Sequence, residues 1–275
     1  MTQFIDTHVH LYDPDFDADI CNVVSRAKES GVVKVILPAI DKSHYKVMVE
    51  RCALLDGYAY AAIGLHPTSV KENWREELQY VVERCKEEKF IAIGEIGLDG
   101  YWSKEHFHYQ RVVFEEQLRL SSERSLPVII HSRDATEEIF NVLDRCSDVN
   151  LKGVFHAFSG SFETYERVQK YGDFMIGVGG VVTFKNSSLA EVVRRVPLER
   201  VVLETDGPWL TPSPHRGKRN EPSFIRIIAE KIAQIKKCTV EEVAAVTTEN
   251  AIRIFDLQRH ERENHLAEVS KTKII

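Results

Sequence analysis

Eight short runs of β-branched and aromatic residues recur along the chain, and they constrain its fold more strongly than any other feature. They span residues 4–8, 33–40, 58–65, 90–96, 127–131, 154–158, 174–178 and 201–205. Between them, apolar residues recur every three or four positions, which predicts helices over 20–29, 74–88, 108–122, 136–145 and 224–236. Roughly eight parallel strands alternating with helices predict an α/β fold of the (β/α)8 TIM-barrel type.

An open doubly wound sheet is the alternative arrangement of the same elements. Such a sheet typically carries a glycine-rich, phosphate-binding turn after its first strand. This chain has His8 and His10 at that place, which favours the barrel.

The length of 275 residues and the hydrophobic content of 43% allow one sizeable core, and no low-complexity linker divides the chain. We therefore predict one barrel domain over residues 1–256. Its extra C-terminal helix would open with a capping box formed by Thr239 and Glu242 and run to about Phe255. Residues 257–275 are predicted to be a polar tail, either an extra helix or a loose segment, without chemistry.

Composition excludes several classes of protein. A formal net charge of −6 argues against a protein that coats long nucleic acids, but it permits one that grips a single end. No run approaches the roughly 20 apolar residues that span a bilayer, so we expect a cytoplasmic protein without a membrane partner. No feature indicates an obligate protein partner. The five cysteines form no CxxC pair and are predicted to be reduced thiols without a metal role.

The segment DTHVH places two histidines at the end of the first predicted strand. Side chains alternate along a strand, so Asp6, His8 and His10 share one face and the two imidazoles converge. Convergent imidazoles are suited to binding one cation. A pair of surface histidines is the alternative for an isolated His-X-His.

Polar residues that could bind metal also follow most of the other predicted strands. In a barrel, functional groups lie where strands end and the following loops begin. Those positions hold His8, His10, His66, Glu95, His131, His156 and Asp206. A hydrogen-bonded core histidine or a capping acid commonly explains any one of them, but the repetition argues against that explanation for the set.

This donor set suits a hydrolytic site with two divalent ions about 4 Å apart and a water activated between them. One ion would be held by His8, His10 and Asp206. The other would be held by His131 and His156, with Glu95 as the bridge. Imidazoles and carboxylates accept Mn²⁺ or Zn²⁺, and Mg²⁺ is the third choice, although it prefers oxygen ligands.

The chain resembles the TatD family of metal-dependent deoxyribonucleases, within the amidohydrolase-like barrel hydrolases. The resemblance runs in order from Asp6 to Phe255 through the motifs DTHVH, GLHP, GEIGLD, HSRDA, HAFSG, ETDGPWLTP and RGKRNEP. It implies that the metal ligands are His8, His10, Glu95, His131, His156 and Asp206. It also implies that Asp206 helps to deprotonate or orient the attacking water, that His66 lies close to the substrate phosphate, and that the activity is exonucleolytic hydrolysis of nucleic acid.

The chain departs from the family pattern at three places. Ala157 stands where many relatives have cysteine, and Gly207 stands where they often have serine or alanine. Residues 100–102 read Gly-Tyr-Trp instead of two aromatics and an arginine. This last change removes a cation that could face phosphate.

Three further acids could belong to the site. Glu204 shares a strand face with Asp206 and could be a seventh ligand, but we favour an acid that hydrogen-bonds a ligand. Asp99 could contact substrate or close a turn. Asp6 is interpreted as orienting a neighbouring histidine or satisfying buried backbone.

A basic loop, residues 215–222, concentrates positive charge in an otherwise acidic chain. Barrels commonly bind phosphate near the loops after strands seven and eight. Arg216 and Arg219 are therefore predicted to contact the phosphate of the substrate or to support the structure, against the alternative of a solvated loop. Arg133, just past His131, is a further candidate for substrate binding. The aromatic residues Tyr101, Trp102 and Trp209 could stack on bases or form a hydrophobic lid.

Our interpretation is a hydrolase that cleaves phosphodiester bonds in single-stranded DNA or RNA, starting from an end, with Asp206, Glu95 and His66 as catalytic residues. A small-molecule hydrolase acting on esters, lactones or amides would use the same fold and ligands, and only the basic loop and the motif match favour the nuclease. A metal-stabilised partner protein without activity is a third interpretation. It is disfavoured because no ligand position is lost.

Overall fold

A computed structural model describes residues 2–87, 89–260 and 262 of the chain. The strands are β1 (Phe4–Asp6), β2 (Val32–Pro38), β3 (Ala59–Ala62), β4 (Ile93–Asp99), β5 (Val128–Arg133), β6 (Leu151–Phe155), β7 (Gly172–Val178) and β8 (Val201–Leu203). The helices are α1 (Ile20–Glu29), α2 (Lys42–Leu54), α3 (Trp74–Glu87), α4 (Phe107–Arg124), α5 (Thr136–Arg145), α6 (Phe162–Val168), α7 (Leu189–Arg195), α8 (Ile225–Lys236) and α9 (Val240–Phe255).

The strands form a closed parallel barrel. Regular ladders join β1 to β3 in one set and β4 to β8 in the other. A parallel bridge between Ile63 and Ile93 closes the first seam. At the second seam the Thr7 N–H donates to the Leu203 carbonyl at 3.0 Å. The predicted (β/α)8 barrel is therefore confirmed.

Helix α9 closes the end of the barrel at which the strands begin. The Thr248 hydroxyl donates to the Gln3 carbonyl, just before β1, and the Asn250 amide donates to the Val201 carbonyl at the start of β8. Ile254 and Phe255 pack with interior residues of the strands in one buried apolar cluster. The opposite end, where the strands end, forms the mouth of the barrel.

Most of the predicted boundaries agree closely with the structure. Helices α1 and α5 have the predicted bounds, α4 extends to Arg124, and residue 88 lies outside the described part of the chain. The Thr239–Glu242 capping box is present at the start of α9. Strand β1 ends at Asp6, two residues earlier than predicted, because the chain then leaves the ladder and turns into the mouth.

The structure also bears on the predictions for the five cysteines and for the C-terminal segment. All five cysteines are free thiols, as predicted. Residues 257–260 are helical, and most of the predicted polar tail, residues 261 and 263–275, lies outside the described residues. None of the helices within the described ranges combines the length and apolarity required to cross a membrane.

Candidate metal centre

The two oxygens of the Glu95 carboxylate face two different groups of side chains at the mouth. Oε2 lies 3.1 Å from His8 Nε2 and 3.9 Å from His10 Nε2. On the other side, Oε1 lies 2.8 Å from His131 Nδ1 and 3.5 Å from His156 Nε2. Strand β4 therefore places one carboxylate between two pairs of imidazoles, as a bridging ligand requires.

Asp206 joins the His8 and His10 side of the centre. Its Oδ1 lies 3.7 Å from His8 Nε2 and 3.6 Å from His10 Nε2. The backbone N–H of Asp206 donates to the His8 carbonyl at 2.8 Å. This bond ties the segment after β8 to the segment after β1, and so holds three of the predicted ligands together.

Tyr12 fixes the proton on His10. Its hydroxyl donates to the Pro38 carbonyl at 2.5 Å and lies 2.8 Å from His10 Nδ1. Since the hydroxyl hydrogen is already used, Nδ1 is the donor in this second contact and Nε2 keeps its lone pair. His10 therefore presents an unprotonated nitrogen to the centre.

Asp99 orients His131 in the same way. Its Oδ2 lies 3.0 Å from His131 Nε2, which leaves Nδ1 turned towards Glu95. Its other oxygen accepts the backbone N–H groups of Tyr101 and Trp102. Asp99 thus closes a turn, one of its two predicted roles, and also positions a histidine.

Glu204 lies behind His156. Its Oε1 is 3.3 Å from His156 Nδ1 and accepts the Ala157 N–H at 2.6 Å. A Cβ at Gly177 would lie 2.2 Å from Glu204 Oε2, so only glycine leaves room for this acid. His156 Nδ1 lies close to Glu204 without a well-aligned hydrogen bond, and Nε2 of His156 faces Glu95. The supporting role of Glu204 therefore stays a prediction.

His66 differs from the other histidines of the centre. Its Nδ1 accepts the backbone N–H of Thr68 at 3.2 Å, so Nε2 carries the proton. That nitrogen lies 3.4 Å from Glu95 Oε1. His66 therefore offers a hydrogen-bond donor rather than a lone pair, which suits contact with an anion.

Asp6 does not enter the centre. Its carboxylate accepts the Thr205 N–H at 2.9 Å and the His8 N–H at 3.3 Å. It satisfies buried backbone between β1 and β8, as the sequence predicted.

Burial and neighbouring charges shift the pKa values of the two acids and of two histidines of the centre. Burial opposes ionisation of Glu95, yet the surrounding imidazoles hold the pKa of its carboxyl well below its usual range. Burial also opposes ionisation of Asp206, but the charge of neighbouring imidazoles, His156 among them, lowers the pKa of that carboxyl. Burial lowers the pKa of His8 and of His66. Ionisation of both acids is therefore favoured, whereas burial disfavours protonation of these two imidazoles.

The donor set fits a divalent cation. His8 Nε2 and His10 Nε2 lie 3.1 Å apart, close enough for their lone pairs to repel unless a proton or a metal ion lies between them. Mixed nitrogen and oxygen donors match Zn²⁺ or Mn²⁺. Three compact groups of donors occur at the mouth: His8, His10 and Glu95; His8, His156 and Glu204; and His66, Glu95 and His131.

The predicted substrate-binding arginines have different surroundings. Arg219 forms a double hydrogen bond with Asp19 at 2.8 and 2.9 Å, and it also binds the Asp15 carbonyl. Its donors are engaged within the protein, so this geometry favours support of the basic loop over substrate contact.

Arg216 and Arg133 instead lie over aromatic rings. The Arg216 guanidinium is 4.0 Å from the Phe184 ring centre and lines a groove of about 540 Å³ with Lys185 and Ser213. Arg133 lies 3.8 Å from the Tyr101 ring centre. Neither guanidinium pairs with a carboxylate among residues 2–87, 89–260 and 262, so both can accept an anionic ligand.

The sequence analysis did not predict that Tyr12 positions His10 or that Asp99 positions His131. Tyr12 continues the alternation of His8 and His10, which was the available signal. Asp99 was recognised as a turn acid, but its contact with His131 depends on the pairing of β4 with β5.

Comparisons with known proteins found one matching family and several similar proteins. The family described as TatD related DNase matches residues 5–256. The metal-dependent hydrolase YabD of Bacillus subtilis is 42% identical, over 91% of this chain and 98% of its own length. Human deoxyribonuclease TATDN3 is 32% identical, over 93% of this chain and 96% of its own length. The crystal structure of YjjV, a TatD homologue from Escherichia coli, superimposes with a TM-score of 0.83 at 32% identity and covers 93% of this chain and 98% of that one.

Proposed function

Because this chain belongs to the TatD family of metal-dependent hydrolases, we propose that it cleaves phosphodiester bonds in single-stranded nucleic acid, from an end. The observation that carries the proposal is the Glu95 carboxylate, whose oxygens face two separate pairs of imidazoles. In this proposal His8, His10 and Asp206 hold one divalent ion, His131 and His156 hold the other, and Glu95 bridges them.

Two bound ions would lower the pKa of a water between them and offset the charge that develops on phosphorus. Asp206 is the general base of this proposal, because its ionised carboxylate lies beside both His8 and His10. His66 donates a hydrogen bond from its Nε2–H group to a phosphate oxygen. Arg216 and Arg133 hold phosphates farther along the strand, since no carboxylate in the described part of the chain pairs with either guanidinium group.

The choice of nucleic acid as substrate has two sources of support. A relative that is 32% identical over most of both chains is named a deoxyribonuclease. Arg216 and Arg133, which pair with no carboxylate among the described residues, also provide local positive charge in a protein whose net charge is −6. This arrangement suits one strand end better than a long duplex.

The test is a time course on 3′- and 5′-end-labelled single-stranded DNA, and on RNA of the same sequence. Protein is stripped with chelator and reloaded with Mg²⁺, Mn²⁺ or Zn²⁺. We expect stepwise, metal-dependent shortening from one end. Intact strands in the presence of confirmed bound metal would contradict the proposal and would support the small-molecule hydrolase, to be tested on esters and lactones.

The ligand assignment has its own test. His131→Ala is expected to lose one of the two ions and most of the activity while the barrel stays folded. Metal content after dialysis is measured by atomic spectroscopy and folding by circular dichroism. Two ions still bound stoichiometrically in this variant would show that His131 is not a ligand.

A further inference from the structure

Three aromatic side chains are exposed in the described part of the chain, and all three lie on loops at the mouth. They are Tyr101, Trp102 and Trp209, of which Trp102 is the most exposed, at 69%. Trp209 packs edge-on against His10, with ring centres 5.1 Å apart, so it belongs to the metal centre itself. Tyr101 and Trp102 lie instead on the turn that follows β4.

Tyr101, Trp102 and Arg133 form one surface, which we call the aromatic platform. The two rings meet edge to face with centres 5.2 Å apart. The Arg133 guanidinium lies 3.8 Å from the centre of the Tyr101 ring and 5.4 Å from that of Trp102. The platform therefore combines exposed π-faces with a positive charge that no described carboxylate neutralises.

The platform is rigidly connected to the metal centre through Asp99. One oxygen of Asp99 accepts the Tyr101 N–H at 2.9 Å and the Trp102 N–H at 3.0 Å. Its other oxygen lies 3.0 Å from His131 Nε2. In addition, the Gly100 N–H donates to the Arg133 carbonyl at 2.8 Å. One acid thus fixes both a candidate ligand and the turn that presents the aromatic rings.

Exposure of two large aromatic side chains is unfavourable in water unless a ligand covers them. Among ligands that carry both a flat aromatic group and a negative charge, a nucleotide matches the rings and the arginine together. We propose that the aromatic platform is a base-stacking subsite that holds an unpaired nucleotide of the substrate strand, beyond the phosphate that is cleaved. This inference rests on the proposed function and names the feature of the substrate that the protein recognises.

A duplex would not fit this subsite, because its bases are already stacked and paired. The platform therefore favours a single strand over a duplex as the proposed substrate. It also supplies, through Arg133, the cation that the sequence 100–102 lacks relative to the family pattern. Stacking tolerates every base, so cleavage is expected to show little dependence on sequence.

The test measures binding of two strands to the metal-loaded, full-length protein. Both are ten-nucleotide, fluorescently labelled strands with phosphorothioate linkages that resist cleavage, and one of them lacks its bases. We expect Trp102→Ala to bind the base-bearing strand about five- to 100-fold more weakly than the wild type does, and the abasic strand equally well. Trp102→Phe keeps a ring and is expected to recover most of the affinity.

Lys28→Ala is the matched control. Lys28 also makes a cation–π contact, 5.0 Å from the ring centre of Tyr58. Tyr58 directly precedes β3, so this contact lies at the closed end of the barrel. Its removal is expected to change neither affinity. Unchanged binding of the base-bearing strand by Trp102→Ala would overturn the inference, as would an equal loss for the abasic strand. Cleavage assays of the wild type test the proposed function separately, so the two failures remain distinguishable.

Discussion

The single hydroxyl of Tyr12 determines which nitrogen of His10 faces the metal centre. The hydroxyl oxygen accepts a hydrogen bond from His10 Nδ1, 2.8 Å away, because the hydroxyl hydrogen is donated to the Pro38 carbonyl. Such partners of ligating histidines typically account for 10- to 100-fold in metal affinity. We therefore expect Tyr12→Phe to weaken metal binding by about that factor, measured by competitive titration with a chelating dye.

Tyr171→Phe provides the control for this substitution. Its hydroxyl donates to Asp144 on the surface, so the same chemical change there is expected to leave metal affinity intact. Equal affinity in Tyr12→Phe and the wild type would mean that the proton on His10 is set by another group.

The basic loop contains two arginines whose roles can be separated. Arg216 lies over Phe184 without an acidic partner, whereas Arg219 is doubly bonded to Asp19. We expect Arg216→Ala to raise the KM for oligonucleotides about tenfold and to weaken its salt dependence, because a phosphate contact is lost. Arg219→Ala is expected to lower the free energy of unfolding by about 1–2 kcal/mol with a smaller effect on KM.

Steady-state kinetics at several salt concentrations and urea unfolding distinguish these outcomes. Metal content is expected to be unchanged in both variants. If Arg219→Ala raises KM more than Arg216→Ala does, Arg219 is the phosphate contact and its pair with Asp19 must open when substrate binds.

Helix α2 depends on the carboxylate that caps it. Asp41 accepts the N–H groups of Ser43 and His44 and the hydroxyl of Ser69. Burial opposes its ionisation, but hydrogen bonds with the side chains of Ser43, His44 and Ser69 lower the pKa of Asp41 to about 2 from the unfolded value of 3.8. The cap therefore stabilises the native state above pH 3.8, and this contribution is lost as the pH falls towards 2.

We expect Asp41→Ala to lower the free energy of unfolding by about 1 kcal/mol at pH 7. The difference in the free energy of unfolding between this variant and the wild type should shrink as the pH falls from about 4 towards about 2, because the carboxyl of Asp41 is then protonated. Ser188→Ala is the control, because Ser188 precedes α7 without a side-chain capping bond. A difference that grows on acidification would contradict the assigned sign.

At the scale of the whole molecule, the metal centre joins strands from all around the barrel. Ions that bind only the native state stabilise it by about 2.7 kcal/mol at 100 times their Kd. For a chain of this size we expect the Tm to rise by about 5–10 °C on addition of Mn²⁺ or Zn²⁺. Scanning calorimetry of stripped and reloaded protein measures this shift, and His131→Ala should show a smaller one. An unchanged Tm would contradict native-state metal binding.

The alternation of strand and helix patterns was sufficient to predict the fold. The alternation of side chains predicted that His8 and His10 converge, and their Nε2 atoms lie 3.1 Å apart although β1 already ends at Asp6. The contact of Tyr12 with Pro38 depends on how β1 and β2 pair, which the sequence does not encode locally. Arg216 and Arg219 have the same charge in the same loop. Only the tertiary position of Asp19 separates their roles.

The hydrogen bond between the segments that follow the first and the last strand has a consequence for folding during synthesis. His8 and His10 follow β1, whereas Asp206 follows β8, and the bond from the Asp206 N–H to the His8 carbonyl forms only when both are present. A nascent chain must therefore expose all residues up to Asp206, out of the 275 in the sequence, before these ligands can meet. The centre cannot assemble on the ribosome before that point, so the earlier lengths of the nascent chain lack the complete ligand set.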